Sequence, residues 1–219
     1  MNSMPHVLIV DDHQILRQGL KALLADQPDF RVTEAETGRA AVGKAAELSP
    51  DIVVMDLAMP GLNGIDATRQ INELNPHIKV IALSAHSDKR MITEALRAGA
   101  SGYVPKDAAF EELSNAIRQV LAGKVYISPK ISVAVREALT ESAAEGDLSH
   151  VRGRLTARER EVLQLLAEGK STKEVAAVLH VGVKTVETHR RQMMEKLQMY
   201  SLAELTKYAI REGITSVEH

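Results

Sequence analysis

The stretch DIVVMD, residues 51 to 56, is one of four short apolar runs that constrain the fold of this chain more than any other feature. The others are HVLIV (6–10), KVIALS (79–84) and GYVPK (102–106). Each is continuous rather than alternating, as expected of strands covered on both faces in a parallel sheet. Between the runs, apolar residues recur at helical spacing, with Leu16, Leu20, Leu23 and Leu24 predicted on one face and Phe110, Leu113, Ile117, Val120 and Leu121 on another. With FRVTEA (30–35) as a weaker second strand, strand and helix alternate five times. The pattern predicts a doubly wound α/β domain on a five-stranded parallel sheet.

In such sheets a site forms outside the carboxyl ends of the strands, where the strand order reverses. Reading off those ends gives Asp11 and Asp12 after the first run, Asp56 after the third, Ser84 after the fourth and Lys106 after the fifth. Taken singly, each has an ordinary explanation. Asp11 or Asp12 can cap the helix that begins near Gln14, Ser84 can cap a turn, and a lysine after a strand is usually solvated. Those explanations leave the coincidence of all five at one edge unaccounted for. Three carboxylates so close repel one another unless a hard divalent cation lies among them, and few oxygen ligands plus retained water suit Mg²⁺.

Carboxylate, metal and lysine together meet the needs of phosphoryl transfer. Metal and ammonium neutralise the equatorial oxygens, a hydroxyl hydrogen-bonds one of them, and a carboxylate attacks in line. Asp56 is then the nucleophile, and the Pro60-Gly61 loop after it allows the backbone carbonyl of Ala58 to serve as a metal ligand. A phosphatase with an aspartate nucleophile needs an acid two residues on to protonate its leaving group, and Ala58 cannot supply one. A flavodoxin-type phosphate cradle is disfavoured by the acidic DDH after the first strand, and neither phosphate-binding glycine motif, G-x-x-x-x-G-K-[ST] or G-x-G-x-x-G, occurs.

At 219 residues the chain is long enough for a second domain. The net charge of −2 conceals an asymmetry: residues from Arg154 onward carry +2 and the remainder −4. Residues 125–152 have linker composition and read either as a flexible tether or as one that carries a short helix, with Ile131, Val135 and Leu139 on one face. From residue 153 on, TARE (156–159) and STKE (171–174) match the S/T-x-x-E capping box and each precedes an apolar helical stretch. Gly169 ends the first helix, HVGV (180–183) makes a tight turn, and a longer helix runs to about Leu197. This is helix-turn-helix spacing, whose second helix would lie in the major groove of double-stranded DNA.

On that helix Val186, Met193 and Leu197 recur on a buried face, and Lys184, Glu187, Thr188, Arg191 and Glu195 on the opposite one. Lys184, Thr188 and Arg191, with the neighbouring Thr185, are candidates for base-edge or nearby backbone contact. Glu187 either accepts from a cytosine amine or holds Arg191 as an i, i+4 pair. Ser171, Thr172 and Lys173 suit phosphate positioning, as do His189 and Arg190. Solvated helix faces explain such charges too, and helix pairs occur outside DNA binding.

VDDH (10–13), MDLAMPGLNG (55–64), LSAH (83–86) and GYVPKD (102–107) resemble the receiver domain of a bacterial two-component response regulator over residues 4–124. The string LTAREREVLQLLAEGKSTKEVAAVLHVGVKTVETHRRQMMEKL (155–197) resembles the LuxR/FixJ-type output domain, placed here at 153–219. The whole chain is therefore similar to the NarL/FixJ family. The resemblance implies a flavodoxin-like receiver, Asp56 as phosphoacceptor for a sensor histidine kinase, and Mg²⁺ held by Asp12, Asp56 and the Ala58 carbonyl, with Asp11 acting through water. It implies that Ser84 and Lys106 contact the phosphoryl group and that Tyr103 is the aromatic switch residue, although an amphipathic residue at the sheet rim would look the same. In the second domain it implies four helices that bind promoter DNA as a homodimer in the active form. The last helix (201–212) would form the dimer contact through Leu202, Leu205 and Tyr208, and RNA polymerase is a candidate further partner. The implied protein is a transcription regulator and not an enzyme, apart from its own phosphoryl transfer and dephosphorylation. The alternative is a phosphorylation-independent DNA-binding regulator whose receiver serves as a dimerisation module.

There is no cysteine, which removes disulfides, thiol catalysis and zinc-finger chemistry and fits a reducing compartment. The N-terminal apolar run ends after four residues in two acids, so neither a signal peptide nor a membrane span is expected, and the predicted location is the cytoplasm.

Overall fold

All five predicted strands form. They are β1 (His6–Val10), β2 (Arg31–Ala35), β3 (Ile52–Asp56), β4 (Lys79–Ser84) and β5 (Gly102–Pro105). A sixth, β6 (Tyr126–Ile127), extends the sheet, giving the order β2-β1-β3-β4-β5-β6 with every pair parallel. The structure, a computed structural model, describes residues 4–25, 30–85, 89–108, 110–132 and 155–215. By contacts the chain divides into Met1–Leu139 and Thr140–His219.

The expectation of five strands needs correcting by that sixth. Two residues give no periodicity to read, and β6 exists because the β5 edge receives it: Tyr126 N–H donates to the Ser101 carbonyl and Ser128 N–H to the Tyr103 carbonyl, each at 3.0 Å. Ile131, expected on a linker helix, is only 1% exposed and packs with Tyr103. The boundary expected at residue 124 therefore moves, because the first unit holds the chain at least to Ile131. Val135 and Leu139 lie outside the described residues.

Alternate residues of the same strands feed two separate cores, which is why the apolar runs are continuous. Val7, Ile9, Ile52, Val54, Ile81 and Leu83 pack against α1 (Gln14–Ala25) and α5 (Phe110–Leu121). Leu8, Val10, Val53, Met55 and Val80 pack against α2 (Gly38–Leu48) and α3 (Gly64–Leu74). A third cluster joins Leu57 and Tyr103 to Ile92 and Ala95 of α4 (Lys89–Arg97). One predicted face is narrower than expected. Leu20 and Leu24 are buried and Leu16 packs beside them, but Leu23 is 47% exposed because the i, i+4, i+8 line leaves it at the margin. At the β2 edge, the Lys44 side chain donates to the backbone carbonyl of Glu34 and Lys21 pairs with the Glu34 carboxylate.

The second unit is helical: α6 (Ala157–Ala167), α7 (Thr172–Val178), α8 (Val183–Leu197) and α9 (Leu202–Arg211). Both expected capping boxes are present, at Thr156/Glu159 and Ser171/Glu174, and a third, Ser201/Glu204, starts α9. Each satisfies two backbone donors that a helix start leaves open, at about 1 kcal/mol per cap. Gly169, at φ +86°, closes α6 in the left-handed conformation that glycine adopts without strain. Val162, Leu163, Leu166, Val175, Val186 and Met193 form the core shared by α6, α7 and α8.

Candidate functional site

The strand order turns back on itself between β1 and β3, so the loops leaving these neighbouring strands open away from each other and leave a crevice at their carboxyl ends. Asp11 and Asp12 follow β1, and Asp56 is the last residue of β3. Asp11 and Asp56 are wholly buried, and Asp12 is partly exposed. Lys106, one residue beyond β5, reaches across with Nζ 2.8 Å from Asp11 Oδ2 and 2.7 Å from Asp56 Oδ2. Lys106 is fixed by its own backbone N–H, which donates to the Ser84 carbonyl at 2.8 Å. Ser84 is 1% exposed and follows Leu83, the register partner of Asp56. The N–H of Ala58, the residue whose side chain lacks an acid, donates to Asp56 Oδ1 at 3.1 Å.

Electrostatically the pocket holds more anion than cation. Burial pushes the Asp56 carboxyl up to about 6 and the Asp11 carboxylate adds to the rise, while Lys106 and the Ala58 N–H pull the other way. For Lys106, burial disfavours the ammonium, but its contacts with Asp11 and Asp56 outweigh that and leave it raised. A lysine serving two carboxylates stays charged, and the carboxylates still lack a full complement of positive charge.

Two residues not singled out from sequence shape this pocket. Gly64 opens α3 so close under Asp56 that a Cβ would come within 1.9 Å of the Asp56 carbonyl oxygen and 2.8 Å of Leu57 Cα. The GLNG string contained this glycine, but the need for it is tertiary. His13 places Nδ1 2.9 Å from Asp12 Oδ1 and 3.3 Å from Asp11 Oδ1, and its backbone N–H donates to Asp11 Oδ1 at 2.8 Å. One ligand atom from each of Asp11, Asp12, His13 and Asp56 lies within 4.8 Å of all the others. Oxygen donors in a partly dry pocket with surplus negative charge fit a divalent cation. Tyr103, by contrast, is not a rim residue: it is fully enclosed among Leu57, Ile92, Ala95 and Ile131.

In the helical unit, α8 divides as its periodicity predicts. Val186 and Met193 are fully buried and Leu197 partly so, whereas Lys184, Thr185, Glu187, Thr188 and Arg191 are exposed. His189 and Arg190 are intermediate. The Thr188 hydroxyl donates to the Lys184 carbonyl at 2.9 Å. Ser171 and Lys173 are exposed and Thr172 half-buried at the start of α7, where the Ser171 hydroxyl is taken by Glu174 at 2.7 Å. Two charged contacts, legible in no spacing, tie α6 to the helix pair. Arg158 donates to the Leu179 carbonyl at 2.9 Å, and Lys196 lies 2.7 Å from both oxygens of the buried Glu159. Burial opposes ionisation of Glu159, but Lys196 and Thr156 hold its carboxyl below the usual range.

The expected dimer contact needs one correction. Leu202 is 43% exposed, Tyr208 is half-buried against the core, and Leu205 is fully buried within its own domain. Leu205 follows the inward row that also carries Ala209, so it supports α9 from within.

A carboxylate-and-lysine pocket at the switch point of a parallel sheet, followed by a helix-turn-helix unit, defines the class of receivers joined to a DNA-binding output. Residues 7–118 match the response regulator receiver domain, and residues 153–209 match the bacterial regulatory proteins of the luxR family. The chain belongs to the response regulator family, as a two-component, DNA-binding transcriptional regulator with a LuxR-type helix-turn-helix domain. It is 35% identical to the transcriptional regulatory protein DegU of Brevibacillus brevis, over 96% of this chain and 95% of that one. It is 34% identical to the response regulator VraR of Staphylococcus aureus, over 95% and 97%. Among solved structures, RcsB from Salmonella enterica serovar Typhimurium, bound to promoter rprA in the presence of phosphomimetic BeF3-, is 27% identical over 94% of this chain and 98% of that one, with a TM-score of 0.57. Among the described residues no helix is long and apolar enough to cross a membrane.

Proposed function

We propose that Asp56 accepts a phosphoryl group from a sensor histidine kinase and that the acyl phosphate changes the DNA binding of the helix-turn-helix unit. The observation that carries this reading is the Lys106 ammonium, held 2.7 Å from Asp56 and 2.8 Å from Asp11 in a pocket with surplus carboxylate. An Asp56 oxygen attacks the phosphorus of a phosphohistidine; the new P–O bond forms as the P–N bond breaks, and the imidazole departs. Mg²⁺ held by Asp11, Asp12, Asp56 and the Ala58 carbonyl would supply further positive charge for the phosphoryl oxygens. Lys106 is already positioned to take one of those oxygens in place of a carboxylate, and the buried Ser84 at the adjoining strand end is the hydroxyl for another. Ala58 offers no acid to speed hydrolysis, which favours an acyl phosphate that persists long enough to signal.

In the output, exposed Lys184, Thr185, Thr188 and Arg191 are read as facing the major groove. Lys173, with His189 and Arg190 at the margins, is read as contacting phosphate, and Glu187 as holding Arg191. Support comes from their shared exposed face on α8 and from the DNA-bound RcsB relative. DNA binding by a homodimer, with Leu202 and Tyr208 near the contact, is part of the same reading, as is a cytoplasmic setting. Asp56→Ala should abolish labelling by kinase or small phosphodonors. The parent's DNA affinity should rise or fall when an acyl-phosphate mimic is added. If neither affinity nor oligomeric state moves, the receiver is a dimerisation module and the switching mechanism fails.

A further inference from the structure

The carboxylate pocket carries one group that phosphoryl transfer does not use. His13 stands at its mouth, its side chain 63% exposed, with Nδ1 2.9 Å from an Asp12 carboxylate oxygen and 3.3 Å from one of Asp11. The four candidate ligand atoms, one nitrogen and three oxygens, lie within 4.8 Å of one another. Two donors on opposite sides of one divalent ion, each about 2.1 Å from it, are roughly 4.2 Å apart. Four donors that span no more than 4.8 Å can therefore be drawn onto one ion by shifts of under about an ångström. The imidazole can make such a shift at little cost, because most of its surface faces solvent.

We propose that His13 is a nitrogen ligand of this pocket and that it selects for first-row transition ions over Mg²⁺. The inference rests on the reading of the pocket as a divalent-cation site. Carboxylates alone serve Mg²⁺ and Mn²⁺ well, whereas an imidazole adds little to a hard ion and much to Ni²⁺, Cu²⁺ or Zn²⁺. The chain would then bind Mg²⁺ through its carboxylates and transition ions through carboxylates plus His13. Which ion occupies the pocket would depend on the supply of each.

The competing cation is the protein's own. Lys106 spans Asp11 and Asp56, while His13 approaches from the Asp12 side. An ion can therefore be captured first by Asp12 and His13, away from the two carboxylates that Lys106 holds.

The test is calorimetric titration of the full chain with Mg²⁺, Mn²⁺ and Ni²⁺ at pH 8, using parent, His13→Ala and Asp12→Asn. His13→Ala should weaken Ni²⁺ binding about tenfold or more and Mn²⁺ binding less, and leave Mg²⁺ binding within about twofold. The affected Ni²⁺ site should be the one that excess Mg²⁺ competes away, which separates it from surface histidines. Equal factors for Ni²⁺ and Mg²⁺, whether both unchanged or both reduced, overturn the proposal. Failure of the underlying reading looks different: Asp12→Asn would leave every affinity unchanged and the parent would bind no Mg²⁺. As a second readout, Ni²⁺ should shift the His13 ring resonances in the parent's NMR spectrum before those of any other histidine; unshifted His13 signals at saturation would also overturn it.

Discussion

Each of the two units buries a carboxylate against a lysine, and the two pairs have opposite electrostatic outcomes. In the receiver, Asp56 shares Lys106 with Asp11, and its carboxyl is pushed up to about 6. In the output unit, Glu159 is, among the described residues, the one carboxylate paired with Lys196, accepts from Thr156 as well, and is held below the usual range. Burial opposes ionisation of both, but at Glu159 the contacts with Lys196 and Thr156 outweigh it, whereas at Asp56 Lys106 and the Ala58 N–H do not. The count of partners adds to the difference: two carboxylates to one ammonium leave a site short of positive charge, and one to one makes a strut. A pocket meant to receive an incoming ion or phosphoryl group has to be under-satisfied beforehand, whereas a joint between helices must not be.

The largest test of the contrast is removal of the shared cation. Lys106→Met should slow phosphorylation by a small phosphodonor by a factor of about 10² to 10³, the usual loss when one preorganised positive group is taken from a transition state. An unchanged rate would mean that Lys106 only balances the apo pocket.

Next comes stability against pH, measured without divalent ions. The unfolded Asp56 carboxyl titrates near 3.8 and the folded one at about 6. Between those values the unfolded chain releases a proton that the folded chain keeps, so Asp56 withdraws stability as pH rises through the window, and its full cost is present above it. The cost is at most about 3 kcal/mol. Asp56→Asn should therefore raise the receiver's melting temperature at pH 7.5, with a gain that shrinks on acidification and vanishes below about pH 4. A constant gain across pH would show that ionisation of Asp56 is not its source.

Glu159→Gln should act in the opposite direction. It should destabilise the helical unit by about 1–2 kcal/mol, less than a fully buried pair would lose because Lys196 is 39% exposed. This carboxyl is depressed in the fold, so its contribution is present above its unfolded value near 4.5 and is lost as pH falls through the folded one. In denaturant melts of parent and variant, the difference should be constant from pH 6 to 8 and shrink in acid.

The smallest effect separates structural charge from DNA-facing charge. Lys173→Ala should lower the slope of log affinity against log salt by about 0.9, one phosphate's worth, and weaken all DNA sequences alike. Lys196→Met should leave that slope unchanged, because its charge is already committed to Glu159. Equal loss of slope in both variants would remove the distinction.

Much of this was legible in sequence, because strand ends, apolar runs and capping boxes are local signals. Asp11, Asp56, Ser84 and Lys106 arrive at one sheet edge because each follows a continuous apolar run, and the sheet needs only its parallel order to bring them together. What escaped depends on partners distant in the chain. Gly64 is required by the carbonyl of Asp56, β6 by the open side of β5, and the Glu159–Lys196 pair by two helices meeting 37 residues apart. Leu205 and Leu23 show the other limit: both are leucines on amphipathic helices, and only packing decides that the first faces inward and the second outward. His13 was visible in DDH but gave no sign of leaning back onto its neighbours.

The two borders of the sheet bear on how copies of this chain can meet. At one border β6 is two residues long, and at the other the Lys44 side chain caps the Glu34 carbonyl while Arg31 and Glu34 put charge along β2. Short or charged borders make poor templates for a strand from another molecule. Runaway stacking of sheets into insoluble fibrils is thereby discouraged while the chain is folded. Helices and loops, which lack a row of open backbone hydrogen-bonding groups, offer no such template.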